Sequence, residues 1–297
     1  MGDAQASAPP EAANGAERSD GRAPAWFRWA TRTLSRAAPS LATMAAERFF
    51  VRPPSRALKA AEADWAAAAR TLTIDTSHGP VRTWRWPAGP ESVLLVHGWG
   101  GRGPQLGAVA RALVDRGYTA IAWDMPGHGE QTRPTNLLEM ARVTAEIAPR
   151  FEPPAGVVAH SFGMATTLVA GSRHGLRPAR LVGVAPAAIL DSVTAQFADM
   201  TGFTEDVVER MRGRLSRRIG FEWRKLEAAT IAPGVSCPAL LIHDHEDERV
   251  PFADGEELAR LLPRADLVTT RGLGHSGPLR DPGTIERIAD FFGRSTA

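Results

Sequence analysis

Ser161, Asp247 and His275 are the residues whose types and chain order could make an activated nucleophile. Ser161 lies in Ala159-His160-Ser161-Phe162-Gly163, after the strand-like Val157-Val158 and before Met164-Ala165-Thr166-Thr167-Leu168, which suits a helix. A serine on a sharp strand-to-helix turn presents its hydroxyl above the sheet edge. Small residues two before and two after let strand and helix come that close. Glycine is usual at the first of those positions, and Ala159 adds one methyl group there. His275, in the glycine-flanked loop Gly272-Leu273-Gly274-His275, can take the serine proton and return it to a leaving group. Asp247, in a carboxylate-rich turn after Leu240-Leu241-Ile242, can fix the histidine tautomer and stabilise the imidazolium. The chemistry would be acyl transfer.

Such a nucleophile needs N–H donors for the negative charge that develops on the attacked carbonyl. The expected donors are the backbone N–H groups of Trp99, in the loop of Leu94-Leu95-Val96-His97-Gly98-Trp99-Gly100-Gly101, and of Phe162. Losing one such donor typically costs on the order of 10²–10³ in rate. His97 reads as a residue that holds this loop, and Asp124 and His128 as closing a turn near the site. His160 is expected to point away from the pocket. Asp244, Glu246 and Glu248 neighbour Asp247, but the spacing to Val250-Pro251 favours Asp247; Asp191 is a further candidate for the acid. His243 and His245 alternate along a strand and read as structural. Cys237, the single cysteine, excludes an intramolecular disulfide. No metal-ligand spacing occurs, and the chemistry needs no cofactor.

The elements that must position these groups alternate. Strand-like runs are TLTIDT, VRTWRW, SVLLVHG, YTAIAWD, GVVAH, LVGVAP, PALLIHD and ADLVTT, with helical spacing at Leu106, Val109, Ala110 and Leu113 and again at Ile285, Ile288, Ala289 and Phe292. This argues an α/β fold, a mostly parallel sheet covered on both faces. Between about 187 and 231 no strand-like run occurs. Thr204-Glu205-Asp206 looks like a helix start there, so this stretch is expected to be a small helical cap. Its run of Arg210, Arg212, Arg214, Arg217 and Arg218 could attract anions, or could be a solvated face.

Ahead of the alternating region, residues 1–23 read as a disordered tail. Residues 24–66 read as a basic, amphipathic helical extension before a domain spanning 67–297. Trp26, Trp29, Ala30 and Leu34 share helical spacing, Pro39 should interrupt that helix, and Ser40 should cap a second one with Leu41, Met44, Ala45 and Phe49 on a face. Between Arg22 and Lys59 there are eight basic residues and one acidic residue, Glu47. The favoured reading packs the apolar stripe on the body. The other lays residues 24–60 on an anionic membrane surface.

The pieces HGWGG (97–101), DMPGHGE (124–130), AHSFG (159–163), HDHEDERVP (243–251) and GLGHS (272–276) occur in the order found in one family. From about residue 71 to 294 the chain resembles the α/β-hydrolase superfamily, most closely its bacterial esterase-like members. That resemblance implies an eight-stranded sheet and a helical cap after the sixth strand. It implies a serine esterase, with Asp244 a departure where glycine is frequent. Thioester hydrolysis, acyl transfer, amide cleavage and a catalytically silent binding protein on the same fold stay open. A formal net charge of +2 excludes a bulk electrostatic case for nucleic-acid binding. No apolar run reaches the ~18 residues of a membrane span. The polar N-terminus lacks the centre of a secretory signal, so a cytoplasmic location is expected, with a small-molecule ester as the partner.

Overall fold

The computed structural model describes residues 22–55, 57–151 and 154–293. Most of the tail read at residues 1–23 lies outside them. The strands are β1 (Arg70–Thr76), β2 (Gly79–Trp86), β3 (Ser92–Val96), β4 (Thr119–Trp123), β5 (Pro154–His160), β6 (Leu181–Val184), β7 (Ala239–Asp244) and β8 (Ala265–Thr270). They form one sheet in the order β1-β2-β4-β3-β5-β6-β7-β8. β2 pairs antiparallel with both β1 and β4, and every other pairing is parallel.

The helices are α1 (Ala25–Ala37), α2 (Pro39–Phe50), α3 (Ala60–Ala67), α4 (Gly107–Asp115), α5 (Leu137–Ile147), α6 (Gly163–His174), α7 (Leu190–Thr201), α8 (Glu205–Ile219), α9 (Ala228–Ile231), α10 (Phe252–Leu261) and α11 (Pro282–Gly293). Side chains alternate across a strand, so β3 feeds two cores. Leu94 and Val96 join Met140, Ile147, Met164 and Leu258 of α5, α6 and α10 on one side. Val93 and Leu95 join Leu106, Val109, Leu113, Ile288 and Phe292 beside α4 and α11 on the other. Every residue of β3 is buried, as expected when helices cover both faces. Each large apolar side chain fully buried here contributes roughly 1.5–3 kcal/mol.

Helices α7, α8 and α9 fill the stretch read as a cap. A third cluster joins this cap to the N-terminal extension: Ala42, Ala46 and Val51 pack on Phe203, Val207, Val208, Met211 and Leu215. The extension therefore packs, with Leu34 and Ala45 of the expected stripe against this cluster and the largest residues of the stripe turned outward. Trp26, Trp29, Leu41, Met44 and Phe49 remain 50–71 % exposed. The faces of α1 and α2 turned inward carry Thr31, Ser35, Ala42, Thr43, Ala46 and Glu47. Small side chains allow the close helix approach that larger ones would block. Thr31 Oγ1 donates to the carbonyl of Thr201 at 2.6 Å and ties α1 to the end of α7. A second correction concerns the start of α2. Its N-cap is Ala38, without a side-chain cap bond, and Pro39 opens the helix where Ser40 was expected to cap it. Proline suits that first position because its ring presets φ and the N–H it lacks has no helical partner there.

Four of the five arginines of α8 are engaged. Arg214 Nε and Arg218 Nη1 reach Glu47 at 2.8 and 2.7 Å, Arg210 pairs with Asp206, and Arg212 pairs with Asp191 and Glu209. Among the described residues no helix is long and apolar enough to cross a membrane.

Candidate active site

Ser161 sits between β5 and α6 with φ of 53°, a left-handed conformation that costs a non-glycine residue about 1–3 kcal/mol. The turn is held by three backbone bonds: Ser161 N–H to the Val184 carbonyl (3.0 Å), and Met164 and Ala187 N–H to the Ser161 carbonyl (2.9 and 3.1 Å). Loop, turn and strand meet as closely as a backbone allows. A Cβ added at Gly98 would lie 2.8 Å from Ser161 Cβ, and one at Gly163 would lie 2.5 Å from the Val96 carbonyl oxygen. Ala159, the residue with the extra methyl, is paired in register with Gly183 of β6, which has no side chain to crowd it.

His275 is brought to Asp247. Its Nδ1 donates to Asp247 Oδ2 at 2.9 Å and Oδ1 at 3.1 Å. The Asp247 carboxylate is wholly buried and also accepts Arg249 N–H (2.8 Å) and Val250 N–H (2.9 Å). Burial alone would raise its pKa, but His243, His275 and the Val250 N–H outweigh it and hold the carboxyl well below the usual range. The other carboxylates go elsewhere. Asp244 accepts Thr270 Oγ1 (2.7 Å) and Leu273 N–H (3.1 Å), which fixes the loop carrying His275. Glu246 and Glu248 are exposed. Asp191, on α7, is ion-paired with Arg212.

Ser161 and His275 line one pocket of about 130 Å³. Among the described residues no hydrogen bond joins Ser161 Oγ to His275, a distance that commonly closes only when substrate is bound. His160 does not point away from this pocket. Its ring packs on His275 at 5.0 Å between centroids, and its Nε2–H donates to the His275 carbonyl at 3.3 Å. Burial first, then the neighbouring His275 ring, lowers the pKa of His160 to about 3, so it stays neutral.

The loop after β3 is held rigidly. His97 Nε2 accepts the Met125 N–H at 3.0 Å, which leaves Nδ1–H to donate to the Gly98 carbonyl at 2.8 Å. Burial first, then the nearby His128, keeps His97 neutral by lowering its pKa well below normal. Asp124 Oδ1 accepts the Gly103 N–H at 2.9 Å, and burial pushes its pKa up to about 6. The Trp99 ring stands edge-on to His128 (5.3 Å) and Phe162 (5.9 Å). Among the described residues the N–H groups of Trp99 and Phe162 make no hydrogen bond, so both donors stay available to a ligand.

Two kinds of residue here escape a reading of local motifs. His243 Nε2 lies 3.4 Å from Asp247 Oδ2 and 3.1 Å from the Val250 carbonyl, so it buttresses the carboxylate from behind. Lys59, Glu62, Arg102, Arg249 and Arg280 line the pocket from distant parts of the chain. The only early signal was that the arginines follow Trp99, Asp247 and His275 by a few residues. A larger cavity of about 480 Å³ lies between α6 and residues 225–237, and it holds neither Ser161 nor His275. Among the described residues no group of three or more His, Cys, Asp or Glu could hold a metal ion.

Residues 93–288 match the alpha/beta hydrolase family. A non-heme chloroperoxidase from Kitasatospora aureofaciens is 25% identical over 248 residues, 66% of this chain and 88% of that protein. A pimeloyl-[acyl-carrier protein] methyl ester esterase from Chromobacterium violaceum is 27% identical over 217 residues, 60% of this chain and 84% of that protein. Among solved structures, an esterase from Pyrococcus furiosus superposes with a TM-score of 0.62 at 17% identity, covering 83% of this chain and 98% of the other. An esterase from Exiguobacterium antarcticum gives 0.60 at 16% identity, covering 76% and 100%.

Proposed function

We propose that this chain, which belongs to the alpha/beta hydrolase family, is a serine hydrolase that cleaves a carboxylic ester through an acyl-enzyme. The observation that carries the reading is the bond from His275 Nδ1 to Asp247 at 2.9 Å, behind a pocket shared with Ser161. With Nδ1–H committed to Asp247, Nε2 of neutral His275 is left as the base. It takes the Ser161 proton as Oγ attacks the ester carbonyl. Negative charge on the carbonyl oxygen is met by the N–H groups of Trp99 and Phe162. The imidazolium then protonates the departing alcohol. Water, deprotonated by His275, releases the acid and frees Ser161. The same steps serve thioesters and acyl transfer to another alcohol. An ester is preferred because one relative is itself named a methyl ester esterase.

A fluorophosphonate probe tests this. Intact protein is expected to be labelled at Ser161, and Ser161→Ala is expected to lose the label. Equal labelling of both, or none of either, overturns the reading and leaves a binding protein on a hydrolase fold. Rates on nitrophenyl esters of increasing acyl length then report the depth of the pocket.

A peripheral membrane role is a second reading, favoured by the outward face of α1 and α2. Trp26, Trp29, Leu41, Met44 and Phe49 are exposed there. Arg32, Arg36, Arg48 and Arg52 are exposed beside them and, among the described residues, form no ion pair. Aromatic and aliphatic side chains entering the headgroup boundary, with about 1 kcal/mol per arginine near an anionic surface, would hold the protein there. Co-sedimentation with phosphatidylglycerol vesicles, lost on Trp26→Ser/Trp29→Ser and absent with phosphatidylcholine, is expected. Binding that ignores the substitutions overturns it. So does concentration-dependent dimerisation that the same substitutions abolish without vesicles, which would assign the face to a second copy.

A further inference from the structure

We infer that the substrate of this site carries an anionic group, a carboxylate or a phosphate, close to the bond that is cleaved. The inference rests on the serine-hydrolase reading above and adds the substrate class. Four cationic side chains line the pocket that holds Ser161 and His275: Lys59, Arg102, Arg249 and Arg280. The lining has one carboxylate, Glu62, and its Oε2 accepts the backbone N–H of Lys59 at 3.1 Å. Among the described residues, none of the four cations forms an ion pair. Four of the five arginines of α8 behave differently, since Arg210, Arg212, Arg214 and Arg218 each have an acidic partner. In a chain whose net charge is only +2, an unbalanced positive group around the nucleophile is a local arrangement and not a reflection of composition.

The four come from separate segments: the link from α2 to α3, the loop after β3, the loop after β7, and the segment after His275. Convergence from four segments on one pocket needs the whole fold. Arg249 adds an independent sign. Its Nε is buried and has no hydrogen-bond partner. A buried donor without a partner is costly, and a bound oxyanion would satisfy it. Guanidinium groups match the two oxygens of a carboxylate or phosphate in plane. The pocket is also small, about 130 Å³. Ligand sites for larger apolar molecules run roughly 300–1,000 Å³ with mostly apolar walls. A short, charged ester fits this one better than a long acyl chain.

Two matched substrate pairs test the inference, followed by proton release: methyl valerate against monomethyl glutarate, and monoacetylglycerol against its 3-phosphate. The first pair places a carboxylate on the acyl side, and the second places a phosphate on the alcohol side. At low salt, kcat/KM for the anionic member of one pair is expected to exceed that of its neutral partner at least tenfold. The ratio is expected to shrink with ionic strength. It is also expected to fall towards one in Arg249→Gln/Arg280→Gln. Equal rates within both pairs, or a preference that survives the double substitution, overturns the inference. Protection of Ser161 from fluorophosphonate by glutarate or inorganic phosphate gives a readout without turnover. Protection present in the intact protein and lost in the double variant supports the inference; no protection by either anion opposes it. If Ser161 takes no label and no ester is cleaved, the serine-hydrolase reading has failed, and this inference with it. If Ser161 is labelled and neutral esters react as fast as anionic ones, only the substrate class is wrong.

Discussion

Glu47 of α2 accepts Arg214 Nε of α8 at 2.8 Å while only 6 % of its side chain is exposed. With Arg218 on its other oxygen at 2.7 Å, the one acidic residue between Arg22 and Lys59 latches the extension to the cap. Glu47→Ala is expected to lower stability by about 1–2 kcal/mol, since hydrogen bonds to a charged group contribute roughly that much and the arginines are half exposed. The midpoint of urea unfolding checks it. Glu47→Lys, which sets like charges together, should cost more.

The choice of acid is open to a direct comparison. Asp247→Asn would leave His275 in the wrong tautomer and is expected to reduce kcat by on the order of 10³–10⁴. Asp191→Asn alters an ion pair to Arg212 and a contact with Glu227, neither of which reaches Ser161 or His275, and is expected to leave kcat within about twofold. Steady-state rates on one nitrophenyl ester distinguish the two.

Gly255 of α10 faces His243, and a Cβ there would lie 2.3 Å from His243 Nδ1. Gly255→Ala must displace the imidazole that supports Asp247. Overpacking of this kind costs about 1–3 kcal/mol, and kcat should fall more than KM rises. Unfolding midpoints and kinetics measured together separate this from plain destabilisation, which would leave the activity of the folded fraction intact.

His160 makes stability depend on pH. Burial lowers its folded pKa from 6.5 to about 3. Between those values the unfolded chain binds a proton that the folded chain does not, so this group removes stability as pH falls through the window. One proton corresponds to about 1.4 kcal/mol per pH unit. His160→Gln removes that dependence. The stability gap between intact protein and variant is therefore expected to narrow as pH drops from 7 towards 4.5. A gap constant with pH would contradict the assignment.

Much of the architecture was legible because each strand is a short apolar run closed by a turn. Leu94 and Leu95, both at 0 % exposure, belong to such a run. Ser161 was legible because small neighbours mark a close strand–helix turn. The face of α1 and α2 was misread for a physical reason. A stripe of large apolar residues normally turns inward, but here the packing against the cap is made by Ala42, Ala46 and Val51, with Leu34, Ala45 and Phe50 partly buried beside them. His160 was misplaced because alternation along β5 says which side a residue takes, not what lies beneath it. The convergence of Lys59, Arg102, Arg249 and Arg280 could not be read at all, because residues far apart in the chain meet only when the sheet has formed.

Ala57, Lys59 and Glu62 form one flank of the pocket, and they lie outside the segment that matches the alpha/beta hydrolase family. The end of the extension thus contributes part of the pocket wall. A shortened protein starting at the first strand would keep Ser161, His275 and Asp247, yet one side of its binding cleft would be open water. If the proposed activity and anionic preference hold, a substrate survey run on that fragment is expected to show broader and less charge-selective turnover than the intact chain.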